Sequence, residues 1–108
     1  MTGPALDNLE KLIGTPRDGP LLRFSLGNEY LKAGRAADAV AHLRIAVERQ
    51  PSYSAAWKLL GRALEATGDR EAALAAYRDG IRAAAANGDQ QAAKEMTVFA
   101  RRIERAPG

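Results

Sequence analysis

The sequence predicts an all-α fold: a right-handed α-α stack of two helical hairpins with one further helix at each end. Three observations carry that expectation. Six residues recur at a spacing of 34, Leu26, Gly27, Gly34, Ala39, Ala41 and Arg44 returning as Leu60, Gly61, Gly68, Ala73, Ala75 and Arg78. A period of that length marks stacked helix–turn–helix units. Alanine supplies much of the 46 % hydrophobic content, and alanine both favours helix and lets helices approach closely. Glycine and proline fall at intervals that divide the chain into helix-sized pieces.

Each piece has its own start and stop. Residues 4–13 read as a short opening helix, with Pro4 in its first turn and Leu6, Leu9 and Ile13 on one stripe. Gly14 and Pro16 end it, and 15–19 form a turn-rich joint. A second helix over 21–33 ends at Gly34, and a third over 36–50 ends at Pro51, which blocks further helix. Ser54 is the expected N-cap of a fourth helix reaching Thr67, with Gly68 behind it. Asp69 caps a fifth that runs to about Ala86, and Asn87-Gly88 makes its turn. Asp89 caps the last, ending near Ala106. In that helix Ala92, Met96, Phe99 and Ile103 form an apolar stripe for docking, opposite a basic edge of Lys94, Arg101 and Arg105. With joints this short, the 108 residues read as one domain. It comprises an opening helix and joint (1–19), a first repeat (20–53), a second (54–87) and a capping helix (88–108).

Composition narrows the function classes. The chain has no cysteine, which removes disulfides and thiolate metal sites and fits a reducing compartment. No apolar run approaches the ~20 residues needed to cross a membrane, and residues 1–13 lack the basic start and apolar stretch of a signal peptide. The expected location is cytoplasmic. A net charge of +3 and a sequence pI near 9.6 are mildly basic, but acids are interleaved with the bases along every helix. That argues against a nucleic-acid stripe. His42, the one histidine, has no second ligand or nucleophile at useful spacing and reads as a surface residue. No phosphate loop is present. No catalytic residue, metal ligand or cofactor site is expected.

The second repeat carries Trp57, Leu60-Gly61, Leu64, Ala73, Tyr77 and Gly80, and the first carries Leu26-Gly27, Tyr30, Ala39, Leu43, Ala46 and a closing Pro51. With the junction at 51–57, these residues resemble the tetratricopeptide repeat (TPR) family, in the form of a small stand-alone protein of bacterial type. Two departures stand out. Arg23 occupies the bulky position of the first repeat, and Ala85 the closing proline of the second. The resemblance implies that Gly27, Tyr30, Ala39, Pro51, Trp57, Gly61, Ala73 and Tyr77 are structural. The small residues Gly27 and Gly61 would lie opposite Ala39 and Ala73, and Trp57 and Tyr77 would fill the wedge between hairpins.

The resemblance also implies a non-catalytic adaptor or scaffold that holds a peptide in a groove lined by the first helix of each hairpin. Carried over by position, the groove residues are Phe24, Asn28, Leu31, Lys32, Lys58, Arg62 and Glu65, with Leu21 and Ala55 at its margin. Asn28 matches the first asparagine of the family's carboxylate clamp, but Phe24, Leu59, Asp89 and Ala93 depart from its other positions. A basic spot of Lys58 and Arg62 remains, suited to a protein or peptide partner with acidic side chains or a free C-terminal carboxylate. Leu21, Phe24 and Leu31 are expected beneath the opening helix. The alternatives are a self-association module pairing through its incomplete third hairpin, as a monomer in weak exchange with a homodimer, and a weak nucleic-acid binder using Lys94, Arg101 and Arg105.

Overall fold

The computed structural model describes residues 3–106. Met1, Thr2, Pro107 and Gly108, at the tips of the expected end segments, lie outside them. Six helices follow in order: α1 (Pro4–Glu10), α2 (Pro20–Lys32), α3 (Ala36–Arg49), α4 (Ser54–Ala66), α5 (Arg70–Asn87) and α6 (Gln90–Arg105). No strand occurs among the described residues.

The punctuation read from the sequence has a direct backbone basis. Gly34, Gly68 and Gly88 all adopt positive φ, between 74° and 87°. Each lets the next amide reach back to a carbonyl five residues earlier, as in Arg35 to Tyr30, Asp69 to Leu64 and Asp89 to Ala84. That contact satisfies helix-end carbonyls and turns the chain. Asp69 and Asp89 cap their helices by accepting the amides of Ala72 and Ala92, each at 3.1 Å. Ser54 does not cap α4. It is the first helical residue, and its hydroxyl donates instead to Asp89 Oδ2 at 3.0 Å. The α3–α4 and α5–α6 turns are thereby tied at one end of the stack. Helix α1 stops at Glu10 rather than Ile13, because the amides of Leu12 and Ile13 tighten to carbonyls only three residues back, ahead of Gly14.

Contacts between helices define two layers. Helices α2, α4 and α6 touch side by side, whereas α3 and α5 pack on them without touching each other. The α2/α4/α6 layer is therefore the inner, concave face of a slab 40 × 31 × 19 Å. Helix α1 packs on α2 alone, through buried Leu6 and partly buried Leu9 and Leu12.

Close approach of helices depends on three glycines. A Cβ at Gly27 would overlap the Leu43 side chain, one at Gly61 the Tyr77 ring, and one at Gly80 both Met96 and the Cβ of Trp57. The partners across Gly27 and Gly61 are thus Leu43 and Tyr77, one turn beyond the expected Ala39 and Ala73. Those alanines are fully buried nearby. Trp57 is only partly buried, with its indole N–H donating to the Pro51 carbonyl at 2.8 Å. Burial, then the hydrogen bond to Glu65, raises the Tyr77 hydroxyl pKa well above its ordinary value.

Arg23 stands in the first repeat where the second has Trp57, and it is 8 % exposed. A guanidinium buried this far requires compensation. Arg23 donates to both Asp18 carboxylate oxygens at 2.9 Å and to His42 Nδ1 at 3.0 Å. Because a guanidinium only donates, Nδ1 must accept, which fixes His42 as the neutral tautomer with its proton on Nε2. His42 is thus not a free surface histidine. Its ring stacks on Tyr30 at 5.3 Å, Arg35 covers that tyrosine, and the Tyr30 hydroxyl donates to Glu10 of α1 at 2.6 Å. That hydrogen bond, and then burial, pushes the hydroxyl pKa up to about 12. Asp18 also accepts the Gly14 amide at 2.9 Å and pairs with Arg49 at 3.3 Å.

Three predictions follow from this packing. Gly61→Ala should destabilise the fold by about 1–3 kcal/mol through overpacking against Tyr77, although alanine is the better helix former by ~1 kcal/mol. Trp57→Ala should cost about 2–3 kcal/mol, short of the ~3–5 of a fully buried ring; urea titration of the two variants checks both values. Removing residues 89–108 strips Met96 from Gly80 and should lower the denaturation midpoint by an amount typical of a lost core methionine, ~2–5 kcal/mol, as read by the same titration.

A fourth prediction concerns pH. Asp18 titrates at about 2, below its ordinary 3.8, mainly because it accepts from Arg23 and then from the Gly14 amide. A carboxyl depressed in this way stabilises the fold fully above 3.8, and that contribution is lost as the pH falls toward about 2. Burial, and then the charge of Arg23, lowers His42 below its ordinary 6.5, so acidification below 6.5 also works against the fold. Asp18→Asn should be destabilised at neutral pH, and its deficit against the parent should shrink as the pH drops through 3.8. Urea midpoints across an acid series test this; a constant deficit would rule out the pairing as its source.

Candidate functional site

The concave face holds a depression of about 320 Å3 between α2 and α4, lined by Asn28, Leu31, Lys32, Leu59 and Arg62. Helical periodicity sets its walls. Asn28, Leu31 and Lys32 lie within little more than one turn of α2, while Leu59 and Arg62 are one turn apart on α4. Leu31 and Leu59 form an apolar floor, with Leu59 itself buried. Above it, one cation comes from each wall.

Four of the seven groove residues expected from the sequence meet here: Asn28, Leu31, Lys32 and Arg62. The other three are engaged elsewhere. Phe24 is partly buried and packs its ring on Tyr53 at 5.1 Å. Glu65 accepts a 2.5 Å hydrogen bond from Tyr77. Lys58 reaches across to Glu95 of α6 at 3.3 Å, so the expected cation pair of Lys58 and Arg62 is half neutralised. Lys32 takes the place of Lys58. Its contact with Glu29 is 3.8 Å long and its side chain 66 % exposed, a surface pair of small energetic weight. Arg62 makes no ion pair among the described residues.

The opening helix does not cover this face. Leu21, expected beneath it, is 69 % exposed, and Leu31 lines the open depression. Helix α1 lies instead on the flank of α2 that carries Leu22, bordering a second recess with Leu9, Leu12, Arg17, Leu21 and Ser25. Residues 9, 12, 17 and 25 were not anticipated as part of any surface. Ser25 alone carries a sequence signal, the stripe Leu21, Ser25, Asn28 and Lys32 spaced i, i+4, i+7, i+11 along one helix face.

Lys94, Arg101 and Arg105 are exposed on α6. Neighbouring cations are tied into the fold: Arg102 lies over the Phe99 ring, and Arg70 of α5 donates to the carbonyls of Ile103 and Ala106, closing the end of α6. Among the described residues no group of three or more His, Asp or Glu side chains is placed to hold a metal ion, and no helix is long and apolar enough to cross a membrane.

Comparison with known proteins agrees with this architecture. The tetratricopeptide repeat family model matches residues 24–89. A TPR repeat-containing protein of Pseudomonas aeruginosa is 50 % identical over 101 residues, covering 94 % of this chain and 96 % of that protein. A Bordetella parapertussis protein solved in solution superposes with a TM-score of 0.80 at 42 % identity, over 97 % of this chain and 90 % of that one. The solution structure of a tetratricopeptide repeat domain protein from Salinibacter ruber gives 0.77 at 28 % identity, over 83 % and 91 %. Two glycine-seated hairpins at a 34-residue period, a matching family pattern over most of the chain and a half-identical relative aligned over nearly its whole length lead to one conclusion: the chain belongs to the tetratricopeptide repeat family.

Proposed function

We propose that this protein is a non-catalytic adaptor that holds an acidic peptide segment of another protein against the α2–α4 depression. TPR domains are in general protein–protein interaction modules, and the finer reading rests on one observation. Lys32 and Arg62 face the depression from opposite walls, Asn28 adds an amide, and no carboxylate lines it. A carboxylate entering there meets a guanidinium able to bind both its oxygens, above an apolar floor that excludes water. The exposed cations of α6 surround Val98, which is itself 46 % exposed. Two copies would bring those like charges together, so the proposed state is a monomer. No aromatic ring is interleaved with that edge to stack single-stranded bases, which leaves nucleic acid the weaker reading.

The test is charge reversal in the depression. Lys32→Glu with Arg62→Glu should abolish binding of acidic synthetic peptides in calorimetric or polarisation titrations, while circular dichroism stays unchanged, since both side chains are exposed. Reversing Lys58 alone should have a smaller effect, because it is already paired with Glu95. Binding that survives the double reversal, or that ignores peptide charge, would remove the depression as the working surface.

A further inference from the structure

We infer that the site is bipartite: the recess at the α1–α2 junction takes a large aliphatic side chain of the same acidic segment whose carboxylate sits at Arg62. This deepens the proposed function and rests on it. The recess measures about 250 Å3 and is lined by Leu9, Leu12, Arg17, Leu21, Leu22 and Ser25. Four of its six lining residues are leucines, and Leu21 leaves 69 % of its surface to solvent. An apolar surface kept open beside a charged one is the pattern of a contact site rather than of a solvated face.

Helix α2 joins the two depressions. Leu21 and Ser25 border the recess, Asn28 and Lys32 border the basic depression, and all four share one stripe of the helix. The midpoints of the two pairs are about seven residues apart, or about 10 Å along the axis at 1.5 Å per residue. An extended peptide rises about 3.3 Å per residue, so about three residues separate a side chain in the recess from one in the depression. The recess leans toward Leu22 and α1 and the depression toward Leu31 and α4, so the segment crosses α2 obliquely.

Charge selects the occupant. Arg17 borders the recess, Lys32 and Arg62 the depression, and neither is lined by a carboxylate. Arg17 and Arg62 take part in no ion pair among the described residues. The complementary ligand is an acidic peptide with one aliphatic anchor about three residues from a carboxylate. A basic or purely polar segment would leave the leucines wet and face like charge.

The experiment uses the full chain, isotopically labelled, and acetylated peptides carrying Leu-Ser-Ser-Glu in both chain orders. Versions with Ala for Leu and with Gln for Glu serve as partners in a double-mutant comparison with Leu21→Ser and Arg62→Glu. Leu21→Ser is an exposed change, so helicity and melting should hold. It should weaken the parent peptide about tenfold, the scale of burying one large aliphatic side chain, while leaving the weaker Ala version unaffected. Amide shifts should appear at both Ser25 and Arg62.

If the Glu-to-Gln change and Arg62→Glu weaken binding but neither Leu21→Ser nor the Ala version does, the bipartite site is overturned and the adaptor reading stands. If no peptide responds to Arg62→Glu, both fall. If sedimentation shows a homodimer that Leu21→Ser dissolves, the recess is a contact between copies and the inference is equally overturned.

Discussion

The stack depends on one steric constraint, repeated three times. A glycine in one helix gives up its side chain so that a large side chain from the next helix can occupy the vacated space: Leu43 on Gly27, Tyr77 on Gly61, Met96 on Gly80. All three incoming side chains are fully buried. A mid-helix glycine costs about 1 kcal/mol in helix propensity, and burying a leucine, tyrosine or methionine of this size returns roughly 1.5–3. The seat is therefore favourable only when filled, which makes α2, α4 and α5 each conditional on its successor. The third seat explains why α6 belongs to the fold. Without it, Gly80 and the Cβ of Trp57 would border an empty slot.

Arg23 shows what happens when the repeat breaks its own rule. An aromatic ring at that position would bring its own apolar surface to the wedge, as Trp57 does in the next repeat. A guanidinium fills comparable space but must be neutralised, and the carboxylate that neutralises it comes from outside the repeat. Asp18 lies in the joint and His42 on α3, while Tyr30 extends the cluster to Glu10 of α1. The substitution thereby converts a packing position into an attachment point for the N-terminal segment. Anchored there, α1 is held to one flank of α2, and the stripe from Leu21 to Lys32 stays uncovered. The openness of the candidate site thus goes with the placement of α1, tied to α2 by Leu6 and by the Tyr30–Glu10 hydrogen bond at the edge of the Arg23 cluster.

Helices were legible in the sequence because their signals are local. Gly34, Gly68 and Gly88 act through their own backbone conformation, Asp69 and Asp89 through amides three residues away, and the repeat supplies its own internal comparison. The site was legible only where one helix decides it, as for Asn28, Leu31 and Lys32. Contacts made where two distant helices meet were not legible. Lys58 and Glu95 are 37 residues apart and form a pair only once α6 docks beside α4. Glu65 points at Tyr77 because the hairpin closes on Gly61. Ser54 is the first residue of α4 rather than its cap, and its hydroxyl donates to the Asp89 carboxylate of the α5–α6 turn, a contact between residues 35 apart. Leu21 is expected beneath the opening helix because exposed apolar patches are usually covered, whereas α1 is held to another flank of α2 by buried Leu6 and the Tyr30–Glu10 hydrogen bond.

In each of the three glycine seats the incoming side chain lies 16 residues downstream of its glycine. Closing a chain segment of that length carries only a modest entropic penalty, and a fold assembled from such local contacts has low contact order and forms quickly. Because synthesis delivers residues from the N-terminus, each seat can close once the 16 residues after its glycine are available. The seats close α2 on α3, α4 on α5 and α5 on α6, each through a local contact. At the last turn of α6 the closure is instead long-range, Arg70 donating to the carbonyls of Ile103 and Ala106 more than thirty residues away.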